Sequence, residues 1–254
     1  MRITTLLALF ALAAIESAGT AAQAPVTARD QRVPVIVELF TSEGCSSCPP
    51  ADKVLSQLIA TQPVDGALII GLSEHVDYWD RLGWKDPFSD ARYTRRQNDY
   101  ATHGTADNIY TPQMVVDGET AFVGSDRAAA LAAVRKATTR PKRVVHLTWQ
   151  SAGQLDIEIA AGNDRSASRV FLAVIEDGLA NKVTRGENSG HTLPHDAVVR
   201  RLVELGQTTK EGAYHATIPV ALDATWQRAA TRVVVWTQRP GEAVSAVGQT
   251  SAAK

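Results

Sequence analysis

Val33-Pro-Val-Ile-Val-Glu-Leu-Phe-Thr-Ser-Glu-Gly-Cys-Ser-Ser-Cys-Pro-Pro50 decides how this chain is read. It opens on an apolar, β-branched run that predicts a buried strand over Val35–Phe40. It closes on two cysteines, Cys45 and Cys48, at the start of a pattern in which Val54, Leu55, Leu58 and Ile59 recur at helical spacing. Prolines are tolerated in the first turn of a helix, where the N–H groups have no intrahelical partner. Pro49 and Pro50 therefore set the helix start at the cysteine pair. Unsatisfied N–H groups and the dipole at that end stabilise a thiolate, and the two-residue spacing lets the second sulfur close on the first. The chain has no third cysteine, so inside it this pair has only itself to bond with.

Working outward, Ala67-Leu-Ile-Ile-Gly-Leu72 reads as a second buried strand, parallel to the first. Asp117-Gly118 is a hairpin signal between Gln113–Val116 and Thr120–Val123. Ser125 or Asp126 caps a closing helix over Arg127–Thr138. Before the first strand, Leu6–Ile15 is an apolar run of leader length followed by small residues, so residues 1–24 read as a secretory signal. No later run is long enough to span a bilayer, and stable membrane insertion is not expected after cleavage. The expected location is periplasmic or secreted, an oxidising setting in which a C-x-x-C is a redox centre or a local staple. With 26 basic and 27 acidic residues there is no basic excess to attract nucleic acid.

In order, residues 25–140 read as strand, C-x-x-C helix, strand, helical insertion at about 75–108, hairpin and helix, which resembles the thioredoxin fold. That resemblance implies a cis-proline before the hairpin, lying against the cysteines, and Thr111-Pro112 occupies its place. Such a proline offers a backbone edge to a substrate strand and keeps metal off the thiols. Val37–Asp52 more closely resembles the signature of a secreted bacterial family known as domain of unknown function 1223. Glu74-His-Val-Asp-Tyr-Trp-Asp80, Leu82-Gly-Trp-Lys-Asp-Pro-Phe88 and Gly186-Glu-Asn-Ser-Gly190 are similar to that family as well. The resemblance implies fold, export and a C-x-x-C site, and no substrate.

The insertion carries Tyr78, Trp79, Trp84, Phe88, Tyr93 and Tyr100 together with Arg92, Arg95 and Arg96. It reads either as a recognition lid or as a helical cap with its own small core. His75 ends the second strand at the edge where α/β folds place ligands. From Lys142 the chain becomes a series of short strands separated by turn signals: Val144–Trp149, Leu155–Ala160, Val170–Ile175, Val198–Leu205, Tyr214–Val220, Val233–Thr237 and Val244–Gln249. Residues 142–254 are thus expected to form an antiparallel β-sandwich-like domain behind the α/β one. The polar stretch Thr184–His195 is a loop that folds over the cysteines or a solvated connection.

The expected chemistry is thiol–disulfide exchange with protein or small-thiol clients and an unidentified redox partner, without a cofactor. Cys45 is the nucleophile, taken as the more exposed sulfur, Cys48 the resolving thiol, and Pro112 their backbone neighbour. Thr111, Ser46, Ser47, His75 and Trp79 are the expected substrate contacts. Two alternatives stay open: a binding module stapled by the disulfide, and a periplasmic Cu(I) carrier using two thiolates.

Overall fold

A computed structural model describes residues 32–252 of the 254-residue chain; the expected signal at residues 1–24 lies outside the described residues. The first half runs β1 (Val33–Thr41), α1 (Pro49–Thr61), β2 (Ala67–His75), a 3-10 segment (Asp77–Leu82), α2 (Ala91–Thr102), β3 (Gln113–Val116), β4 (Thr120–Val123) and α3 (Arg127–Thr138). The second runs β5 (Arg143–Val144), β6 (His146–Trp149), β7 (Gln154–Ile159), β8 (Arg169–Glu176), β9 (Leu179–Lys182), β10 (Thr192–His195), β11 (Val198–Gln207), β12 (Tyr214–Pro219), β13 (Thr231–Gln238) and β14 (Val244–Ser251).

Local chemistry accounts for the element ends. Pro49 and Pro50 occupy the first turn of α1 as their missing N–H groups require. Asp90 caps α2 by accepting from the Arg92 N–H, and Asp126 caps α3 through Ala129. Asp117 at φ 56° and Gly118 at φ 74° make the turn between β3 and β4, a left-handed pair that Asp-Gly adopts readily.

The strands do not sort into two domains. Nine of them form one mixed sheet in the order β4-β3-β1-β2-β11-β8-β13-β14-β5, with β12-β7-β6 and β10-β9 as small separate sheets. The join is narrow: Val198 of β11 lies parallel to Ser73 of β2, whose N–H donates to Ala197 O at 2.8 Å. The expected α/β thioredoxin-like domain followed by a separate sandwich is therefore corrected. The described residues are 39% strand and 22% helical, and the large sheet takes strands from both halves. The seven later strands do form, although Val144–Trp149 divides into β5 and β6. The error lay in their partners. A β-branched alternating run specifies which face is buried and leaves the neighbouring strand to tertiary packing.

Three apolar layers hold the sheet. Leu39, Leu55, Leu58 and Val134 pack α1 and α3 on one face. Ile36, Leu72, Tyr93 and Trp236 fill the opposite face beneath α2. Ile157, Leu172, Val235 and Ala246 join the later strands to the three-stranded sheet. Each fully buried Leu, Ile or Val among them contributes about 1.5–3 kcal/mol when taken from water. One buried ion pair crosses these layers: Arg96 of α2 donates to Glu38 of β1 at 2.7 Å and to Gln238 of β13 at 2.6 Å.

Candidate functional site

β1 delivers the chain to Thr41, and the next turn places Cys45 N–H on Ser42 O at 3.1 Å. Cys48 is the N-cap of α1. The two sulfurs are joined as a disulfide with Cα atoms 5.4 Å apart. Ser46 and Ser47 between them are exposed, and Ser47 Oγ lies 3.3 Å from Cys45 Sγ.

Thr111-Pro112 is a cis peptide bond. Pro112 O accepts from Gly124 N–H at 2.9 Å, and a Cβ on Gly124 would come 3.1 Å from Ala51 of α1 and 3.4 Å from Pro112. Glycine is needed there because α1, Pro112 and Leu39 converge on the same space. Trp79 ties the proline segment to the cysteine turn: its indole N–H donates to Thr111 Oγ1 at 2.7 Å, and its side chain lies against Gly44. Cys45, Cys48, Pro112, Thr111, Ser46, Ser47 and Trp79 are thus drawn around one helix start.

His75 is placed differently from the surface contact expected of it. It is wholly buried, with Nδ1 2.7 Å from Asp86 Oδ2 and its ring packed edge-to-face on His195 and Phe88. Cys45 is the more exposed sulfur only marginally. It is only 1% exposed, and Cys48 is 0% exposed, so neither sulfur is openly presented.

The cover over the cysteines comes from the second half of the chain. Asn188 donates through Nδ2 to Glu43 O at 2.9 Å and to Cys45 O at 3.0 Å. Glu187 accepts from Ser46 N–H at 2.9 Å. The polar stretch expected as a loop forms the turn of the β9–β10 hairpin and its second strand, and its turn packs against the cysteine segment.

Glu43 anchors that cover from below. Its buried carboxylate accepts from Trp84 Nε1 and Asn181 Nδ2, both at 2.9 Å, and lies 3.2 Å from His195 Nε2. Its backbone N–H donates to Asp86 Oδ2 at 2.8 Å. Glu43, Asp52, Asp86, Asn181, Glu187, Asn188 and His195 were not among the expected site residues. The available signal was a charged residue set between Ser42 and Gly44, two positions before the first cysteine. Nothing local reveals its partners, which lie up to 152 residues away.

The electrostatics follow from burial. Desolvation raises the Asp52 carboxyl, against the lowering effects of His195, His75 and the Thr41 hydroxyl that donates to it at 2.9 Å. For His75, burial pulls downward, but the charge and hydrogen bond of Asp86 outweigh it and hold the imidazole above its ordinary value. Asp86 is held low although burial pushes it up, because His75 and the N–H groups of Glu43 and Phe88 stabilise its charge. Beside this cluster a cleft of about 470 Å³ is lined by Pro49, Asp52, Lys53, Leu193, Pro194 and Asp196.

The aromatic insertion is mostly turned inward. Tyr93 OH donates to Val199 O at 2.5 Å, Tyr100 joins the Glu38–Arg96 pair, and Trp84 serves Glu43. Among the described residues no group of three or more His, Cys, Asp or Glu side chains is arranged to hold a metal ion. Among the same residues no helix is long and apolar enough to cross a membrane.

A profile of the family described as "Protein of unknown function (DUF1223)" matches residues 36–238. The fold is similar to a crystal structure of a protein from Agrobacterium tumefaciens, with 27% identity, a TM-score of 0.65, and 86% of this chain and 93% of that one covered. It is also similar to HBP35 of Porphyromonas gingivalis, at 15% identity and a TM-score of 0.61, over 87% of this chain and 76% of that one. No curated protein matches the chain.

Proposed function

We propose that this chain, which belongs to the DUF1223 family, is an exported thiol–disulfide oxidoreductase working through Cys45 and Cys48. The observation that carries the reading is the placement of the disulfide at the N-terminus of α1, with Trp79 linking its turn to Thr111-Pro112. A helix N-terminus stabilises the thiolate that forms on reduction, and an ordinary staple needs no such stabilisation. A client thiolate attacks Cys45, Cys48 leaves, and a second client thiol releases Cys45 from the mixed disulfide. Clients are proteins or small molecules bearing thiols, and a separate redox partner resets the pair. Export follows from the leader-like residues 1–24.

One observation favours a second reading. Both sulfurs are buried, as a structural staple would be. Glutathione titration of the protein without residues 1–24 separates the two. A reduction potential above about −300 mV, with a Cys45 thiolate forming well below about pH 8.5, supports the oxidoreductase. A lower potential, or sulfurs inert to glutathione, leaves only the staple.

A further inference from the structure

The turn between the two cysteines already holds an acid. Glu187, in the turn of the β9–β10 hairpin, accepts from the Ser46 N–H at 2.9 Å from 141 residues further along the chain. Both residues are exposed, so this is a carboxylate docked from outside onto the segment that leads into α1. The Ser46 backbone N–H, helped by its hydroxyl, holds the Glu187 carboxyl below its ordinary value.

Cations without partners flank that contact. A Cβ on Gly186 would come 3.1 Å from the Trp84 side chain, and one on Gly83 would come 3.9 Å from Gly186, so segment 81–85 lies against the hairpin turn. Arg81 and Lys85 stand on that segment, and Arg185 is two residues before Glu187; all three are exposed. Among the described residues none of the three is paired with a carboxylate. Lys53, also exposed, lines the cleft beside Pro49. The acids nearby are engaged elsewhere. Asp77 accepts from the Thr94 hydroxyl, Asp80 from the Ser89 hydroxyl and Asp86 N–H, Asp86 lies on His75, and Asp196 accepts from Gly178 N–H. A chain of formal net charge −1 thus gathers unpaired positive heads around its cysteine turn.

We infer that this turn takes clients whose reacting cysteine is flanked by acidic residues, a client carboxylate replacing Glu187 on the Ser46 N–H as the hairpin turn lifts. The inference rests on the redox reading above and names the client chemistry. Arg81, Lys85 and Arg185 draw the acidic segment in, as a patch of one sign steers a partner of the other. Without a client, Glu187 satisfies the Ser46 donor and the turn stays closed over the buried disulfide. The client thiolate attacks Cys45 Sγ, and the new S–S bond forms as the Cys45–Cys48 bond breaks. The electron pair passes to Cys48 Sγ, which takes a proton from solvent. A second client thiolate attacks the client sulfur of the mixed disulfide and expels Cys45 as a thiolate. Two client thiols become one disulfide, and the cysteine pair gains two electrons.

The test is the rate at which three blocked tripeptides, Glu-Cys-Glu, Gln-Cys-Gln and Lys-Cys-Lys, reduce the protein at pH 7. Each rate is divided by that peptide's rate with bis(2-hydroxyethyl) disulfide, a neutral reference that cancels thiol reactivity. Glu-Cys-Glu should be about ten-fold or more faster than Lys-Cys-Lys at low salt, with Gln-Cys-Gln between them. The gap should close in about 1 M salt, where the screening length falls to about 3 Å. Replacing all three cations, Arg81→Gln with Lys85→Gln and Arg185→Gln, should bring the acidic-to-basic ratio close to one. Circular dichroism confirms folding, and if the triple variant does not fold, the native comparison decides alone. Docking at Ser46 has its own readout. In isotope-labelled Glu187→Gln, the redox-inert peptide Glu-Ser-Glu should shift the Ser46 amide resonance, and Lys-Ser-Lys should not. Equal rates for the three peptides, or no reaction with any while dithiothreitol still reduces the protein, overturn the inference and leave the redox reading intact. A ratio that survives in the folded triple variant, or a Ser46 resonance unmoved by Glu-Ser-Glu, does the same. A disulfide that also resists dithiothreitol overturns both.

Discussion

Asn188 hydrogen-bonds the carbonyl oxygen of Cys45 at 3.0 Å from 143 residues further along the chain. The same amide nitrogen reaches Glu43 O at 2.9 Å, so one side chain pins the cysteine turn to the β9–β10 hairpin. This contact, with Glu187 on Ser46 N–H, packs the hairpin turn over the buried disulfide at the helix start. Under the proposed redox function, exchange at Cys45 requires the hairpin turn to lift.

Replacing Asn188 with alanine leaves both carbonyls without that donor. Two lost hydrogen bonds weaken the closed form by about 1–3 kcal/mol, and 1.4 kcal/mol is a factor of ten in an equilibrium. Reduction by dithiothreitol at pH 7 should be about ten-fold faster or more in Asn188→Ala, with a smaller acceleration in Glu187→Gln. Equal rates in all three proteins would remove the hairpin from any covering role.

Arg96 gives a stability prediction. Its guanidinium is nearly buried, holds Glu38 at 2.7 Å, and lies 4.7 Å from the Phe171 ring centroid. Arg96→Met strands the Glu38 carboxylate in the sheet interior, which costs about 3–5 kcal/mol. Urea unfolding should show a lower midpoint with an unchanged slope. Converting Glu38 to Gln in the same protein should recover most of the loss. A single-variant change below about 1 kcal/mol would show that water reaches Glu38.

Asp117 sets a pH dependence. Burial lifts its carboxyl to about 6, against the pull of Lys142 Nζ at 3.0 Å. The ordinary aspartate value is about 3.9, so the native state holds this proton more tightly than the unfolded chain does. Its contribution to stability is full below about pH 4 and is lost as pH rises through about 6, a change on the order of 3 kcal/mol. Asp117→Asn should abolish that decline. The check is urea unfolding at pH 4, 5, 6 and 7 in both proteins, comparing the slope with pH, because any constant offset from the Lys142 charge cancels. Parallel slopes would sink the assignment.

Much of the local structure was legible. Val35–Phe40, the prolines after Cys48, Asp117-Gly118 and the aspartate cap of α3 all carry short-range signals, and each element forms where its signal lies. The pairing of Cys45 with Cys48 followed from there being no other cysteine. Glu43, Asp52 and Asp86 were illegible for the opposite reason. A buried carboxylate is defined by its donors, and those of Glu43 come from Trp84 and Asn181, far along the chain.

By itself the sequence determined where strands and helices begin, which faces of them are apolar, and that two cysteines stand at a helix start. These depend on side-chain periodicity, proline and glycine stereochemistry, and capping within a few residues. Only the tertiary structure decided that β11 joins β2 and makes one sheet of the two halves. It also decided that the β9–β10 hairpin closes over Cys45, and that His75 faces His195 rather than solvent. The physical reason is common to all three. Strand pairing and buried hydrogen bonds are contracts between distant residues, and each partner's own sequence neighbourhood is equally compatible with other partners.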